Sequence, residues 1–391
     1  MSYIKNFLAK IDLINASFLV LTPIIAFTGT AYLAFTHSIQ WETIVLAIFM
    51  AIATGVGITG GYHRLFSHRG YEARSLYKLF MLLFGAAAFE NSALHWSSDH
   101  RKHHKYVDTN LDPYNIKRGF WFAHMGWVML RYDGSHQYNN VSDLEEDKLV
   151  QWQNRHYVKI GIIVGFVFPT LLASIWGDPL GGFFIAGFLR TVMNHHFTFS
   201  INSFAHMIGK RPYSDQNTSR DSWFLALVTY GEGYHNYHHK FPTDYRNGIR
   251  AYHWDPTKWI IKTMEKFGQT YNLRQIPNET ILRARLKMDE KRLVLALEKV
   301  PTLKIKKEFI LSTRAKIEQT YVQFRYLKTE YKRLKQERMA ALSHQVDAIN
   351  ERIEKLKIDI EISKKRLQES ISEWGQMCSS YGVRGTQFAY V

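Results

Sequence analysis

The sequence predicts an all-α integral-membrane protein: a four-helix transmembrane bundle with a cytoplasmic helical cap and a C-terminal coiled-coil extension. Three observations support this prediction. The first half of the chain contains four long segments almost free of charge, histidines cluster beside the ends of those segments, and the last third is dense in Lys, Arg and Glu. An apolar first half and a highly charged last third indicate two parts of the chain, one in the membrane and one in water.

Four segments are long enough to cross a bilayer, which requires about 20 apolar residues per helix. They run near residues 13–35, 43–62, 157–176 and 180–194, and the last two form a hairpin across the turn 177–179. Residues 76–89 are apolar but too short to span, so they predict an interfacial or protein-buried helix. The resulting division is a membrane domain over 1–280 and a cytoplasmic helical extension over 281–391.

The distribution of positive charge predicts the orientation. The formal net charge is +16, with Lys and Arg concentrated between the second and third spans and absent from the turns 39–41 and 177–182. Cytoplasmic loops carry the excess of Lys and Arg, so we expect both termini and the central stretch on the cytoplasmic side. The basic charge fits the anionic surface of that leaflet better than it fits nucleic acid. A bacterial inner membrane is the expected location.

The C-terminal extension carries a helical repeat of its own. Pro301 separates it from an earlier helix near residues 281–300. Beyond it, apolar residues alternate spacings of three and four in a charged setting, which is typical of a coiled-coil seam. The seam consists of Met339, Leu342, Val346, Ile349, Ile353, Leu356 and Ile360. It predicts a soluble helical hairpin or coiled coil, and a homodimer through this extension is one hypothesis.

Histidine is the residue type that stands out. Cys378 is the only cysteine, which excludes a disulfide framework and any four-cysteine metal site made by this chain alone. There are 18 histidines, and nine of them fall into four tight groups, each beside a span or in the loops that follow it. The groups are His63 and His68; His100, His103 and His104; His206, four residues after Asn202; and His235, His238 and His239.

The spacing inside these groups predicts convergence. Residues three and four apart lie on one face of a helix, so each H-x2-H-H triplet can present three imidazoles to one side. Residues five apart do not share a face on an ideal helix, so His63 and His68 are expected to meet where that helix ends or bends. Composition alone would produce one H-x2-H-H about 0.04 times. By contrast, we expect His195 and His196 to be a solvated surface pair.

Nine imidazoles and an amide exceed the four ligands of one zinc ion and fit two metals of five or six coordination each. Imidazole suits zinc, copper, iron and nickel alike, so the ligands do not name the metal. Carboxylate-bridged di-iron proteins use paired Glu-x-x-His motifs. Glu232 and His235 form the only such motif in this chain, which disfavours that class, and Glu232 is expected to orient a ligand instead.

With these groups in place, the chain resembles the membrane acyl desaturases of the stearoyl-CoA desaturase type over residues 13–272. The matching stretches are GYHRLFSH at 61–68, DHRKHH at 99–104, NSFAH at 202–206 and GEGYHNYHH at 231–239. The resemblance implies that one iron is held by His63, His68, His100, His104 and His238. It implies that the other is held by His103, His206, His235 and His239, with Asn202 reaching that iron through water.

The resemblance also implies substrate contacts. The pair that kinks the acyl tunnel of the family matches Trp96 and Thr198, and residues that contact the thioester carrier match Asn91, Asp99 and Arg131. Ser98 and Tyr132 depart from the pattern, because acyl-CoA enzymes commonly carry basic residues there. We therefore leave CoA, acyl carrier protein and phospholipid open as carriers of the acyl chain.

The activity implied by the resemblance is O2-dependent insertion of a delta-9 double bond into a saturated long-chain acyl group. Two Fe ions and O2 would be needed, although zinc can occupy such sites in purified protein. No haem, flavin or iron–sulfur motif is visible, so an external donor such as a ferredoxin or b-type cytochrome must supply electrons. The alternatives are a fatty-acid or alkane hydroxylase with the same centre, a metal transporter and a membrane-anchored coiled-coil adaptor.

Overall fold

The structure is a computed structural model that describes residues 10–36, 39–130, 138–298 and 307–383. Its residues form two compact units. The first comprises the chain up to Arg211 together with Gln216–Gln275, and the second comprises Pro212–Asp215 and the chain from Ile276 onwards. The boundary between the two predicted domains, at residue 280, lies five residues beyond Gln275. The assignment of Pro212–Asp215 to the second unit was not predicted.

Three helices of the described residues are long and apolar enough to cross a membrane. They are α1 (Leu13–Thr36), α2 (Trp41–Ser67) and α5 (Lys148–Trp176). Between them lie α3 (Ser75–Ala86) and α4 (Ala93–Tyr106). The helices α2 and α5 contain the predicted spans near 43–62 and 157–176 and extend beyond them into polar residues, α2 at its C-terminal end and α5 at its N-terminal end.

The predicted fourth span is helical but is not among the three membrane candidates of the described chain. It runs through Pro179–Gly181, Gly182–Leu189 and α6 (Arg190–Asn202), well past residue 194. Its polar side chains lower the mean hydropathy, yet several of them are buried: Arg190 is 2% exposed and donates to the carbonyls of Ala87 and Gly165 at 2.7 and 3.0 Å. The described part of the chain is mostly helical and contains three candidate membrane helices.

The apolar helix α3 is buried along one side, with Met81 and Leu82 fully covered. Short elements follow the central helices of the first unit. Among the described residues they are the 3-10 and π turns Ile116–Arg118 and Phe122–Gly126, and the helices Trp127–Met129, Ser142–Glu145, Phe204–Met207, Trp223–Val228, α7 (His235–Lys240) and α8 (Pro256–Lys266). Two short strands, Glu72–Ala73 and Thr270–Tyr271, pair antiparallel with Glu72 opposite Tyr271. This pair ties the end of the unit to the loop after α2.

In the part of the second unit that the structure describes there are three helices: α9 (Asn278–Glu298), α10 (Lys307–Ala340) and α11 (Ser343–Ser380). The helices α10 and α11 form a hairpin in which Ile349 and Ile353 are buried, at 7% and 4% exposure. The predicted seam is wrong at its start, because the turn after Ala340 interrupts the helix. As a result Met339 and Leu342 are 89% and 65% exposed.

Candidate metal centre

The first histidine pair lies on a widened stretch of α2. The helix is α-helical over Trp41–Val56 and π-helical over Gly57–Ser67, so its hydrogen bonds close five residues apart, as between the His68 amide and the His63 carbonyl at 3.1 Å. A π-helix brings residues i and i+5 close together. The two imidazoles consequently meet, with ring centroids 4.8 Å apart, at the end of the helix.

The two H-x2-H-H triplets lie on the helices α4 and α7. Ser92 caps α4 by accepting from the His95 amide, and His100, His103 and His104 follow in its last turns. The turn before α7 requires Gly231, which has φ 102°, and an added Cβ there would lie 2.5 Å from an Asp255 oxygen. Both triplets therefore project from short helical stretches with defined ends.

The nine histidines form two groups in the described chain. In the first group the Nε2 atoms of His63 and His238 are 3.0 Å apart. Those of His68 and His100 are 2.8 Å apart, and those of His104 and His238 are 2.9 Å apart. The members of this group are His63, His68, His100, His104 and His238, whose ligand atoms lie within 4.8 Å of one another.

The second group is adjacent to the first. Its members are His103, His206, His235 and His239. The Nε2 atom of His235 is 3.1 Å from those of both His206 and His239. The rings of His104 and His239 stack at 4.3 Å between centroids, so one residue of each group contacts the other.

The donor atoms of both groups fit bound metal ions. Imidazole nitrogens bind transition metals at about 2.0–2.1 Å, and two nitrogens at right angles around one ion are then about 3 Å apart. The measured separations of 2.8–3.1 Å match that value. Burial and the neighbouring imidazoles lower the pKa values of His104 and His239 well below the usual range, so these rings are neutral and offer lone pairs. Neutral imidazole is the form that binds metals.

Two carboxylates hold ligand rings through the Nδ1 atom, on the side away from the converging Nε2 atoms. Glu232 Oε2 lies 3.0 Å from His63 Nδ1, and its other oxygen accepts from Arg64 at 2.8 Å. Asp112 accepts from His103 Nδ1 at 2.8 Å. Such partners fix the ring so that Nε2 faces the metal. Of these, only Glu232 was expected from the sequence.

A cavity of about 530 Å³ runs beside the first group. Apolar and aromatic side chains from α1, α5 and α6 line much of it, including Phe18, Ile162 and Phe199. His63 and His100 also line it, so the cavity reaches the predicted ligands. Its volume lies within the range of about 300–1,000 Å³ that is usual for small-molecule sites.

Four of the five residues expected to contact substrate line this cavity, namely Asn91, Trp96, Asp99 and Thr198. Arg131, like Tyr132, lies outside the described residues. Trp96 stacks on His100 with ring centroids 4.7 Å apart, which places an aromatic wall beside a predicted ligand. Asn202 ends α6 and also lines the cavity.

Sequence reasoning missed two cavity residues. Glu90 accepts from Trp96 Nε1 at 3.3 Å, and burial raises its pKa to about 8. The signal in the sequence that could have identified Glu90 is its position as a single acidic residue directly after the apolar stretch 79–89. The expectation for His195 is wrong: it is 4% exposed and its Nε2 lies 2.8 Å from the Ala88 carbonyl oxygen. His195 is buried because it lies on the side of α6 that faces the protein interior.

The comparison with known families identifies the chain by this same region. The sequence model described as fatty acid desaturase matches residues 39–274, which include all four histidine groups. The chain belongs to the fatty acid desaturase family. Over these residues the resemblance to the family predicted from the sequence is confirmed.

Curated relatives of this desaturase-family chain come from fungi and animals. A probable acyl-CoA desaturase of Schizosaccharomyces pombe is 46% identical over 271 residues, covering 69% of this chain and 56% of the relative. Acyl-CoA desaturase 1 of Saccharomyces cerevisiae is 43% identical over 251 residues, covering 64% and 49%. Human stearoyl-CoA desaturase is 38% identical over 254 residues, covering 63% and 70%.

This chain therefore spans about half the length of the two fungal relatives that it matches. The organisms are all eukaryotes, so the comparisons lend no support to the expected bacterial inner membrane.

Proposed function

We propose that this protein is an O2-dependent desaturase that inserts a delta-9 double bond into a saturated long-chain acyl group. One observation carries the proposal: imidazole nitrogens converge in two adjacent groups, and two imidazoles of the first group, His63 and His100, line an apolar cavity. The names of the relatives supply the reaction, since they are acyl-CoA and stearoyl-CoA desaturases.

The metal centre of the proposal consists of two irons. His63, His68, His100, His104 and His238 would hold one, and His103, His206, His235 and His239 would hold the other, with Asn202 contributing through water. When bound, the two irons supply reductive activation of O2. The mutual separations of the ligand nitrogens support this division.

The protein's own part in the reaction is to place the chain and exclude water. An apolar cavity binds methylene groups by removing them from water. The wall formed by Trp96 stacked on His100 would hold adjacent methylenes beside the first group. Holding reactants at a fixed distance converts the step into an effectively unimolecular one, and a dry cavity protects a strong oxidant from side reactions.

The acyl carrier proposed is CoA, since the relatives act on acyl-CoA by their names. Asn91 and Asp99 line the cavity and are candidates for contact with the carrier end of the substrate. The departure at Ser98 keeps acyl carrier protein and phospholipid as alternatives, because Ser98 is 2% exposed and bonded to Asn140 rather than free for an anionic carrier.

The proposal includes an external electron donor, a ferredoxin or b-type cytochrome. The donor would dock on the cytoplasmic side of the membrane, where both termini of this chain are also proposed to lie. Basic residues near the centre would steer an acidic donor. A homodimer through the extension is a separate hypothesis. Ile358 and Ile362 are exposed on α11, four residues apart, and offer an apolar stripe for it.

Lipid analysis of a host that expresses the chain tests the proposed function. The host would receive wild type, the double variant His103→Ala/His239→Ala, or the control His344→Ala, a histidine outside both groups. We expect new monounsaturated chains with wild type and the control only, with the double bond located by mass spectrometry. Hydroxylated chains would indicate the sister hydroxylase reaction, and unchanged lipids with an active donor and iron-loaded protein would contradict the proposal.

A further inference from the structure

The segment 207–217 is flanked by two residues, His206 and Thr218, that contact each other. It follows His206 directly and leads into Thr218, whose hydroxyl oxygen lies 2.7 Å from His206 Nδ1. That hydroxyl donates to Asp108 at 2.6 Å, and the Thr218 amide donates to the other Asp108 oxygen at 2.7 Å. With the hydroxyl proton committed to Asp108, Thr218 accepts from His206 Nδ1–H, which leaves Nε2 of His206 free for a metal.

The middle of this segment belongs to the other compact unit. Pro212–Asp215 group with the chain from Ile276 onwards. Tyr213 is 4% exposed, and its hydroxyl accepts from Arg285 Nη2 at 2.8 Å. Asp215 accepts from Lys291 at 2.5 Å. Arg285 and Lys291 both lie on α9.

The Arg285–Tyr213 bond is the buried part of this attachment. Arg285 is 9% exposed, and its guanidinium carbon lies 4.8 Å from the centre of the Tyr213 ring. Hydrogen bonds from charged donors are stronger than neutral ones, and a buried guanidinium that loses its partner is costly. The Lys291–Asp215 pair is exposed at the lysine and contributes less.

The covalent chain then couples α9 to His206. Six residues separate His206 from Tyr213, and two separate Asp215 from Thr218. Fixing the middle of so short a segment limits how far either end can move. The family match ends at residue 274, so α9 lies beyond the matched region.

We propose that Arg285 and Tyr213 are positioning residues for His206: α9 holds Pro212–Asp215, and this attachment keeps Thr218 in place to orient the ring. The inference rests on the proposed metal ligation. It gives the C-terminal unit a role in retaining the second metal, and it predicts that weakening the attachment loosens that metal while leaving the first in place.

Site-resolved iron retention tests the inference on the full-length chain. Protein loaded anaerobically with Fe²⁺ is titrated with a chelator, and iron per chain is measured by mass spectrometry. Single variants His68→Ala and His206→Ala assign the two release phases. We expect Thr218→Val to lower retention in the second phase by about tenfold, and Tyr213→Phe and Arg285→Met to lower it in the same phase by up to about tenfold.

The matched control is Arg314→Met, which breaks pairs with Glu290 and Glu318 inside the same unit without contacting Pro212–Asp215. It should leave both phases unchanged. Equal loss from both phases in Tyr213→Phe would show general destabilisation and overturn the inference, as would no change in either phase. A wild-type chain that retains no iron would overturn the proposed function itself, which separates the two failures.

Discussion

At the residue scale, the two groups of histidines are held by different carboxylates. Glu232 bonds His63 of the first group, and Asp112 bonds His103 of the second. Both carboxylates are buried, at 1% and 4% exposure, so water cannot replace them. Each carboxylate therefore acts mainly on its own group.

The pair gives a reciprocal prediction. Glu232→Gln should weaken the first metal by about 10–100-fold, and Asp112→Asn should weaken the second by a similar factor. Chelator titration with iron analysis measures both, and each variant is the control for the other. If either variant released both metals together, the two carboxylates would not be specific to their groups.

Glu90 gives a prediction about pH. Burial raises its pKa to about 8, against a usual value near 4.5. Between these values the folded chain binds one more proton than the unfolded chain, so the stability contributed by this group falls as pH rises. The slope is at most about 1.4 kcal/mol per pH unit, and the fall ends above pH 8. Glu90→Gln should reduce this dependence of stability on pH, which thermal unfolding measured from pH 5 to 9 would show.

The same residue should affect substrate binding. An ionised carboxylate in an apolar cavity opposes binding of methylene groups, so the KM of wild type for an acyl substrate should rise above pH 8, and that of Glu90→Gln should not. Glu145→Gln changes an exposed acid outside the cavity and is the control. A KM that rises equally in all three proteins would rule out Glu90 as the cause.

The sequence predicted residues of this kind unevenly. The nine histidines could be named in advance because their spacing along the chain is itself the signal. Asp112 and Glu90 could not, because each depends on a partner that the fold supplies. For Glu90 the raised pKa results from burial, which a single sequence does not reveal.

At the element scale, the widened part of α2 explains the spacing of its histidines. At the 3.6 residues per turn of an α-helix, His63 and His68 would not share a face. The π-helical turn of Gly57–Ser67 removes the conflict, and the expectation that the pair meets at a helix end agrees with His68 as the capping residue. Nothing in the pattern itself specified a π-helix.

Close packing of this stretch on α3 gives a prediction. A Cβ at Gly57 would lie 2.6 Å from the Gly85 amide nitrogen, which is backbone and cannot move aside. Gly57→Ala should therefore lower the free energy of unfolding by about 1–3 kcal/mol. The matched control is Gly60→Ala in the same helix, where the nearest atom would be 3.4 Å away.

Gly60→Ala should be neutral or stabilising by up to about 1 kcal/mol, since glycine is unfavourable in a helix interior. Thermal unfolding of both variants in the same detergent makes the comparison. Equal effects of the two substitutions would mean that the approach of α2 to α3 does not limit this position.

At the scale of the whole molecule, the composition change near Pro301 predicts a helical extension but does not indicate which chain covers its seam. Ile349 and Ile353 pack with Leu334 of the same chain. Apolar periodicity specifies a buried stripe without naming its partner. The segment Pro212–Asp215 could not be assigned to the second unit, because its neighbours are about 70 residues away in sequence.

The hairpin gives the last prediction. Ile353→Asp places a charge in a buried cluster and should unfold the hairpin, at a cost of about 3 kcal/mol or more. Ile358→Asp, at a position 62% exposed on the same helix, should not. Limited proteolysis of the full chain followed by mass spectrometry would detect rapid cleavage within α10 and α11 for the first variant alone. Comparable resistance of both variants would refute the packing of the seam.

The division of the two histidine triplets has a consequence for how the centre tolerates change. His103 and His104 are neighbours in sequence yet belong to different groups, and so are His238 and His239. Successive residues of a helix differ by a fixed rise of about 1.5 Å. The fixed geometry of the helices α4 and α7 therefore sets the distance between the two groups. That distance should vary little between related sequences, even where loops and tails differ.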